Sequence, residues 1–419
     1  MRIEQLYQLF IQNYLVDTDT RNIRKGSLFF ALKGDNFNGN KFVKKALTNG
    51  ASYTVIDEVE YNNQPKTILV NNVLETLQKL AQYHRNQLKI PIIALTGSNG
   101  KTTTKELINC VLSKKYKTTA TIGNLNNHIG VPLTLFAIQP TTEIGIIEMG
   151  ANHIKEIDFL CNIAKPNFGL ITNFGKAHLE GFGGVEGVIQ GKSELYDFLR
   201  ATNKIAFVNT DDPIQMKQSR GIETIPFNNN KIKYLEADPF VKVQFQNIAI
   251  QSKLIGKYNY NNIAAAITIG NYFKVSITNI KNAIENYEAI NNRSQIITKD
   301  GLKIILDAYN ANPSSMKVAL ENFSDLKDKQ KIVFLGDMFE LGKDSSKEHQ
   351  QIADFALSLN FDKLYLIGKA FSAIDAKNAL TYSNFKDFET SNKKLNLKNA
   401  TLLIKGSRGM ALERILNLL

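Results

Sequence analysis

The sequence predicts an α/β protein built from three domains. Its 419 residues exceed what one compact core usually holds, and the length alone points to about three domains. Short apolar runs rich in β-branched residues alternate with helical patterns along most of the chain, as in parallel sheets covered by helices. We therefore expect a central P-loop-type domain with a doubly wound parallel sheet, between a small N-terminal α/β domain and a Rossmann-like C-terminal domain.

Residues 1–88 are predicted to form the N-terminal α/β domain. Short apolar runs at residues 27–32, 53–56 and 67–70 alternate with polar turns, and a helical pattern covers residues 74–85. Alternation of strand and helix periods within fewer than 90 residues indicates one small sheet with helices against it.

Residues 89–292 are predicted to form the central domain. The run Ile-Ile-Ala-Leu at residues 92–95 is short, apolar and rich in β-branched residues, which is typical of a parallel strand buried on both faces. A glycine turn follows it, and a helical pattern covers residues 101–115. Further strands of this sheet are expected at residues 144–148, 168–172 and 204–209.

Residues 293–419 are predicted to form the Rossmann-like C-terminal domain. Apolar strand patterns lie at residues 303–306, 332–335, 363–367 and 401–405, and helical patterns separate them. This repeated order of strand and helix again favours a parallel sheet with helices on its faces.

The composition narrows the class of protein and its partners. The first ten residues include Glu4 and contain no long apolar core, and no window approaches the roughly 18 apolar residues of a membrane span. The net charge is +12, but the lysines are scattered and accompany no nucleic-acid recognition motif. Cys110 and Cys161 fit neither a metal-binding pattern nor a disulfide framework. We expect a cytoplasmic protein with reduced thiols, no membrane insertion and no nucleic-acid partner.

A glycine turn between the first central strand and its helix is the strongest local signal. Its glycines let backbone N–H groups approach phosphate oxygens, and the helix N-terminus adds partial positive charge. The spacing is shorter than in the common phosphate loop, because Leu95 stands where that pattern has its first glycine. The alternative is a polar turn with a solvated lysine. The residues expected to bind nucleotide here are Thr96, Gly97, Ser98, Asn99, Gly100, Lys101, Thr102 and Thr103.

Within this turn the residue types suggest distinct roles. Lys101 is expected to reach the β- and γ-phosphates, and the Thr102 hydroxyl to bind Mg²⁺. Glu148 follows an expected neighbouring strand, so its carboxylate is a second candidate ligand for this hard cation.

These eight residues resemble the phosphate loop of the Mur ligase family. Other segments resemble the same family in the same order along almost the whole chain. The sequences DAYNANPSSM and LGDMFELG are similar to the corresponding segments in the branch of this family that adds D-alanyl-D-alanine to a tripeptide nucleotide. The segments that carry the resemblance are residues 19–21, 31–39, 96–103, 123–134, 148–151, 172–183, 191–195, 307–316, 335–342 and 405–410.

The resemblance implies an ATP-dependent amide ligase of peptidoglycan synthesis, acting as a monomer. ATP would phosphorylate the carboxyl group of UDP-N-acetylmuramoyl-tripeptide, and D-alanyl-D-alanine would attack the acyl phosphate to give the pentapeptide precursor, ADP and phosphate. Substrates spread over three domains imply domain closure, which excludes water from the acyl phosphate. Two alternatives stay open: a related Mur or folylpolyglutamate-type ligase with another amine substrate, and a non-catalytic nucleotide-binding protein.

The resemblance also implies roles for individual residues. Lys192, otherwise a solvated helix lysine, is expected to be carbamylated by CO₂ and to support Mg²⁺ as an anion. His178 is expected near a second Mg²⁺, although imidazole is not the preferred ligand of so hard a cation. The implied catalytic residues are Lys101, Lys192, His178 and Arg293. The implied metal-binding residues are Thr102, Glu148, His178 and Lys192. Further nucleotide contacts are expected at Asn259, Asn262 and Asp307, with Tyr258 in place of a family histidine.

Seven residues are expected to bind the other substrates. Thr20, Lys33 and Asp35 are expected to contact the uridine nucleotide. Arg408 suits a carboxylate, or else caps a nearby helix. Asn310, Asn312 and Ser314 either frame the D-alanyl-D-alanine site or cap a turn before the helix that begins at Pro313.

Overall fold

The computed structural model describes residues 1–228, 231–289, 292–395 and 397–419. These residues form three α/β domains in chain order, which confirms the predicted fold class. None of the helices in the described ranges combines the length and the apolar content needed to cross a bilayer.

The N-terminal domain is a small parallel sheet flanked by helices. Its elements are α1 (Ile3–Phe10), β1 (Val16–Asp17), β2 (Leu28–Phe30), β3 (Lys33–Gly34), β4 (Phe37–Asn38), α2 (Val43–Thr48), β5 (Tyr53–Ile56), β6 (Thr67–Leu69) and α3 (Val73–Gln87). Strands β1, β2, β5 and β6 are parallel and adjacent in that order, while β3 and β4 form an antiparallel hairpin. Helix α3 begins after Asn72, whose side chain accepts a hydrogen bond from the Glu75 N–H.

The central domain contains a six-stranded parallel sheet and a separate antiparallel sheet. Its elements are β7 (Ile92–Thr96), α4 (Lys101–Leu112), β8 (Thr118–Ala120), α5 (Gly130–Phe136), β9 (Ile144–Glu148), α6 (Glu156–Ala164), β10 (Phe168–Ile171), α7 (Leu179–Phe182), α8 (Val185–Ala201), β11 (Ile205–Asn209), α9 (Pro213–Gln218), β12 (Glu223–Phe227), β13 (Ile232–Ala237), β14 (Phe240–Phe245), β15 (Ile248–Ile255), α10 (Asn259–Tyr272) and α11 (Ile277–Asn286). The parallel sheet has the order β12-β11-β10-β7-β9-β8.

Strand β7 shows why this segment of the sequence is continuously apolar. Ile92 and Ala94 pack into a core that includes residues of α5, α6 and α8. Ile93 and Leu95 face the opposite side and pack with residues of α4, α10 and α11. All four side chains are fully buried, because helices cover both faces of the sheet. The prediction of a doubly wound sheet is confirmed.

The strand order places a topological switch beside β7. From β7 the chain passes to β8 and β9 on one side, and then to β10, β11 and β12 on the other. The carboxyl ends of β7, β9 and β10 therefore meet at one edge, which is where ligands bind in open α/β sheets.

The antiparallel sheet of β13, β14 and β15 was not predicted from the sequence. Along β14 fully buried residues alternate with half-buried ones, so the segment has a period of two without a continuous apolar run. Lys and Gln at its outward positions interrupt the apolar run that identifies a buried parallel strand.

The C-terminal domain is a six-stranded sheet with helices on its faces. Its elements are β16 (Gln295–Lys299), β17 (Leu302–Asp307), α12 (Pro313–Ser324), β18 (Lys331–Gly336), α13 (Ser345–Ser358), β19 (Lys363–Ile367), α14 (Lys369–Ser372), β20 (Leu380–Tyr382), α15 (Phe385–Ser391) and β21 (Thr401–Lys405). The order is β16-β17-β21-β18-β19-β20, and β16 alone in this sheet is antiparallel to its neighbour.

Helix α3 docks the N-terminal domain onto the central domain. The rings of Phe10 and His84 pack against each other and against Phe136 of α5. The buried Arg85 guanidinium donates to the carbonyls of residues 88, 164 and 165 and to the side chain of Asn167, at 2.8–3.1 Å. Apolar packing and four hydrogen bonds from this guanidinium together fix the interface.

Candidate active site

A cavity of about 1050 Å³ lies between the central and C-terminal domains. Its walls come from the carboxyl edge of the central sheet on one side and from the start of the C-terminal domain on the other. The sequence-predicted site residues that line it are Ser98, Asn99, Gly100, Lys101, Thr102, Thr103, Glu148, His178, Asn259, Asn262, Arg293, Asp307, Asn310 and Ser314. Residues from six separate segments thus meet in one place.

Two glycines give the phosphate loop its shape. Gly97 has a φ of 141°, and a Cβ there would lie 2.0 Å from Thr172 Oγ1. Gly100 has a φ of 79°, and a Cβ there would lie 2.8 Å from Asn262 Oδ1. Both positions combine a backbone conformation that favours glycine with a close neighbour, so the loop can pass tightly between its neighbours only with these residues. Thr96 lies fully buried at the end of β7, just before the loop.

The loop is held from behind by Asn173, which follows strand β10. The Ser98 N–H donates to the Asn173 carbonyl, and the Asn99 N–H donates to its side-chain oxygen, both at 3.1 Å. Asn173 was not among the site residues selected from the sequence, although it lies within a segment that carries the family resemblance. A turn residue of this kind gives no local sign that it supports a loop 74 positions earlier.

Lys101 begins helix α4 and lies at the centre of the loop. Its Nζ donates to the Gly97 carbonyl at 2.7 Å, so the side chain folds back over the turn. Burial lowers the pKa of Lys101, the nearby Glu148 carboxylate opposes that change, and the charge of Arg293 adds to it. The amine lies where the helix N-terminus already favours anions.

Glu148 at the end of β9 has one carboxylate oxygen in use and one without a partner. Oε1 accepts from the Thr102 hydroxyl at 3.2 Å and from the Asn126 amide at 2.9 Å. Oε2 is buried and has no hydrogen-bond partner within the described part of the chain. A buried oxygen without a donor beside a hydroxyl and a phosphate loop fits a hard cation such as Mg²⁺. Asn126, which orients the carboxylate, was not selected from the sequence.

No three His, Cys, Asp or Glu side chains gather into a metal-ligand cluster within the described ranges. Any Mg²⁺ at Glu148 would therefore take most of its ligands from Thr102, phosphate oxygens and water, as Mg²⁺ commonly does.

Lys192 lies in α8 and is fully buried rather than solvated. Its Nζ donates to the Ala151 carbonyl at 3.0 Å and lies 4.9 Å from the centre of the Phe182 ring. It forms no ion pair with a carboxylate of the described residues. Burial, with a smaller contribution from the charge of Lys101, holds the pKa of Lys192 well below the usual lysine range. Its amine is therefore poised to be neutral.

His178 precedes α7 and lines the cavity from the central domain. Its φ of 54° is in the left-handed region. Its Nδ1 lies against the carboxylate of Glu340, which belongs to the C-terminal domain. No local pattern in the sequence predicts this pairing, because the two residues are far apart in the chain.

The C-terminal side of the cavity is positively charged and hydrogen-bonded. The Arg293 guanidinium lies 3.8 Å from the centre of the Tyr309 ring, and its buried Nε has no hydrogen-bond partner among the residues that the structure describes. Asp307 pairs with the buried Lys405 at 2.5 Å. Lys405 lies within a segment singled out in the sequence, but it was not selected as a site residue.

Two asparagines of α10 connect the loop to the nucleotide side of the cavity. The Asn262 amide donates to Asn259 at 2.8 Å, and its oxygen accepts from the Thr104 hydroxyl at 3.0 Å. The hydroxyl of Tyr258, just before them, meets the Ser294 hydroxyl at 2.5 Å. The tyrosine thus reaches across to the start of the C-terminal domain.

The residues predicted around the amine substrate serve the local structure as well as the cavity. Asn312 caps α12 through the Ser315 N–H, which agrees with the capping alternative, and it also donates to Asn99 at 2.8 Å. Asn310 accepts from the next backbone N–H. The Ser314 hydroxyl accepts from the Lys176 N–H at 2.9 Å. Asn310 and Ser314 line the cavity, and Asn312 stands behind them.

The other predicted substrate contacts lie outside this cavity. Lys33 pairs with Asp57 at 3.1 Å and with Glu58 at 3.3 Å. Thr20 begins a short 3₁₀ helix of the N-terminal domain, and Asp35 lies in the exposed turn between β3 and β4. The exposed Arg408 pairs with Glu413 and begins a 3₁₀ helix after β21.

Comparison with known proteins gives full-length matches. A Bacillus subtilis protein named UDP-N-acetylmuramoyl-tripeptide–D-alanyl-D-alanine ligase is 34% identical over 422 residues, covering 96% of this chain and 92% of its own. The chain belongs to the Mur ligase family. Three family profiles match successive parts of it: "Mur ligase family, catalytic domain" at residues 13–93, "Mur ligase middle domain" at 95–270 and "Mur ligase, glutamate ligase domain" at 292–408.

Solved Mur ligase structures share the whole architecture. The crystal structure of MurF from Acinetobacter baumannii superposes with a TM-score of 0.82 at 28% identity, covering 96% of this chain and 92% of that one. The MurF ligase of Thermotoga maritima in complex with ADP gives a TM-score of 0.82 at 27% identity, covering 96% of each chain. In Mur ligase terms, the cavity described above lies between the middle domain and the glutamate ligase domain.

Proposed function

We propose that this Mur ligase joins D-alanyl-D-alanine to the terminal carboxyl group of UDP-N-acetylmuramoyl-tripeptide at the expense of ATP. The γ-phosphoryl group passes to the carboxylate, the free amine attacks the acyl carbon, and phosphate leaves as the amide forms. The products are ADP, phosphate and the pentapeptide precursor of peptidoglycan. The observation that carries the proposal is the single cavity in which the phosphate loop faces Arg293 and Ser314 of the C-terminal domain. Full-length relatives with this named activity support the choice of substrates.

ATP binding follows from the residues on the central side of the cavity. Lys101 starts a helix whose N-terminus favours anions. Among the described residues, its amine donates only to carbonyl oxygens of its own turn. A triphosphate offers that amine a charged acceptor in place of a neutral one, which is a stronger hydrogen bond. Arg293, with an unpaired buried Nε, supplies a second cation on the opposite wall.

Thr102 and Glu148 are the residues we propose to bind Mg²⁺. Bound there, Mg²⁺ would neutralise charge that gathers on the phosphoryl oxygens during transfer. Asn126 fixes Glu148 through Oε1, so that Oε2 stays directed to a ligand other than protein. His178 lines the same cavity and is our candidate for the site of a second ion.

We also propose that Lys192 is carbamylated. Its lone pair would attack the carbon of CO₂, and the amine would lose a proton to give a carbamate anion. Only a neutral amine can react in this way, and the burial that lowers the pKa of Lys192 supplies one. The carbamate anion would attract the cation of Lys101, whereas a protonated Lys192 would repel it.

The remaining substrate contacts and the domain roles are part of the same proposal. Residues 1–88 would bind the uridine nucleotide through Thr20, Lys33 and Asp35. Residues 89–292 would bind ATP. Residues 293–419 would bind the dipeptide. Its contacts would be Asn310, Asn312, Ser314 and Arg408. Because ATP and nucleotide-linked precursors are intracellular metabolites, we place the reaction in the cytoplasm. The phosphate loop and the facing wall of the cavity come from one chain, so we propose that a monomer is sufficient for it.

Mass spectrometry of the product tests the proposal directly. Purified protein with ATP, Mg²⁺, the tripeptide nucleotide and D-alanyl-D-alanine should yield the pentapeptide nucleotide, with one phosphate released per product. L-Lysine, diaminopimelate or glutamate in place of the dipeptide should release no phosphate above background. Product formation with one of these amines, and not with the dipeptide, would favour the related ligase with another substrate.

A pair of lysine variants tests whether the chain is catalytic at all. Lys101→Ala should reduce turnover by at least about 100-fold, because it removes a preorganised cation from the transferring phosphoryl group. Lys114→Ala is the matched control, since Lys114 is exposed just beyond the other end of α4, and it should leave turnover unchanged. Equal turnover of both variants would support a protein whose activity does not depend on the phosphate loop.

A further inference from the structure

A loop of the C-terminal domain, residues 337–342, projects from the end of β18 toward the central domain. Asp337 at its start accepts from the Ala370 and Phe371 N–H groups, both at 3.0 Å. The Phe339 N–H donates to the Ser407 hydroxyl at 3.1 Å. The loop is therefore anchored to the ends of two other strands of its sheet rather than free to move.

A buried histidine behind the loop fixes its middle. His349 is fully buried, and its Nε2 accepts from the Met338 N–H at 3.0 Å while Nδ1 contacts the Ser345 carbonyl at 2.8 Å. Because Nε2 must be unprotonated to accept, the ring is neutral with its proton on Nδ1. Burial lowers the pKa of His349 and favours the same neutral state. The position of residue 340 is thus determined by the packing behind it.

Glu340 at the tip of this loop meets His178 across the domain boundary. Its carboxylate contacts the buried Nδ1 of His178, for which the described residues offer no other hydrogen-bond partner. The backbone joins the same contact, since the Glu180 N–H donates to the Glu340 carbonyl at 3.3 Å.

Both partners hold an unfavourable backbone conformation. Glu340 has a φ of 61° and His178 a φ of 54°, and neither is a glycine. Each such residue costs of order 1–3 kcal/mol and persists only where the surroundings impose it. Two residues in this backbone conformation thus meet side chain to side chain, one from each domain.

We propose that Glu340 is a positioning residue that orients the imidazole of His178 from the opposite domain. A carboxylate at Nδ1 holds the ring proton there and leaves the Nε2 lone pair for a ligand in the cavity, as carboxylates do for metal-binding histidines. The metal site is then complete only when the amine-binding domain is docked. This inference rests on the proposed function, because it assigns Glu340 to the metal site of that ligase.

The test measures metal binding and the histidine tautomer directly, without turnover. Mn²⁺ binding to the full chain with ADP is followed by electron paramagnetic resonance, and the ring nitrogens by NMR of ¹⁵N-histidine-labelled protein, which has five histidines. His178→Gln identifies the His178 signals. Wild-type protein should show the Nδ1–H tautomer at His178.

Three variants separate orientation from domain contact. Glu340→Ala should weaken Mn²⁺ binding roughly 10–100-fold and mix the tautomers, as loss of an outer-shell partner typically does. Glu340→Gln should restore most of the affinity, because its amide oxygen still accepts from Nδ1–H. Glu348→Gln is the matched control: it breaks the 2.6 Å pair with Lys176 between the same two domains, two residues from His178, without touching the imidazole.

The outcomes distinguish the proposals. Wild-type affinity in Glu340→Ala, or an equal loss in Glu348→Gln, would overturn the positioning role. A folded protein that binds Mn²⁺ as expected but makes no amide with D-alanyl-D-alanine would count against the proposed substrates and would leave the role of Glu340 supported by both readouts.

Discussion

Replacing Gly97 by alanine should weaken nucleotide binding without unfolding the protein. The residue lies in the phosphate loop with a φ of 141°, and an added Cβ would lie 2.0 Å from Thr172 Oγ1 and 3.0 Å from the backbone nitrogen of the same residue. The hydroxyl can rotate away, but the backbone nitrogen at the end of a parallel strand cannot. The loop must therefore relax into another conformation.

The magnitude follows from the cost of restoring the loop. A non-glycine residue in this backbone region costs about 1–3 kcal/mol. The variant loop must regain this conformation to bind nucleotide, so the cost is subtracted from the binding free energy. Since 1.4 kcal/mol corresponds to a factor of ten, affinity for ADP should fall roughly 5–150-fold from strain alone. The backbone contact near Thr172 places the expected loss at the upper end of this range.

Isothermal titration with Mg²⁺ and ADP measures the loss, and thermal unfolding reports whether the variant is folded. Gly301→Ala is the matched control, because Gly301 also has a positive φ, 79°, in the turn between β16 and β17, but a Cβ there meets no atom within 4 Å. It should reduce stability slightly and leave ADP affinity unchanged. Wild-type affinity in a folded Gly97→Ala protein would refute the reasoning, since the loop would then not require glycine.

Two further variants test the buried charges. Lys192→Met should reduce turnover at least about 100-fold, as removal of an electrostatic group from a transfer site does. Burial lowers the pKa of Lys192, so without CO₂ the unfolded chain binds more protons than the folded one, and stability rises with pH. Thermal unfolding in CO₂-free buffer over roughly pH 7–10 should therefore show a smaller rise for Lys192→Met than for wild type. Arg85→Ala removes four hydrogen bonds of a buried side chain and should cost about 3–5 kcal/mol in denaturant titration. Arg24→Ala, which removes an exposed guanidinium paired with Asp17, is the mild control. A pH response shared by Lys192→Met and wild type, or equal effects of the two arginine variants, would contradict these assignments.

The sequence was sufficient for elements whose signal is local. The strands at residues 144–148, 363–367 and 401–405 have the predicted bounds, because continuous apolar runs mark strands buried on both faces. The phosphate loop was equally evident, since it needs glycine at fixed positions next to a strand and a helix. The antiparallel strands between residues 232 and 255 escaped prediction, because half of their positions face outward and carry polar side chains.

Contacts between distant segments were beyond the reach of local patterns. The sequence placed His178 and Glu148 in the site but gave no sign of Glu340, which lies 162 positions after its partner (340 − 178). Lys405 and Asn126 occupy segments that the sequence had singled out, yet only the folded chain shows which side chain in each segment turns inward. The prediction that Lys192 is carbamylated stays a prediction, although its burial favours it.

The two interfaces between domains differ in how readily water can replace their contacts. Separating α3 from the central domain would expose Phe10 and Phe136 to water and would remove the carbonyl acceptors of the Arg85 guanidinium. At the other junction, contacts such as Asn312 with Asn99 join groups that solvent can hydrate in place of each other. The N-terminal and central domains should consequently travel as a single body. We expect the C-terminal domain to move relative to this body, and under the proposed function it would bring the amine to a carboxyl group held by the other two domains.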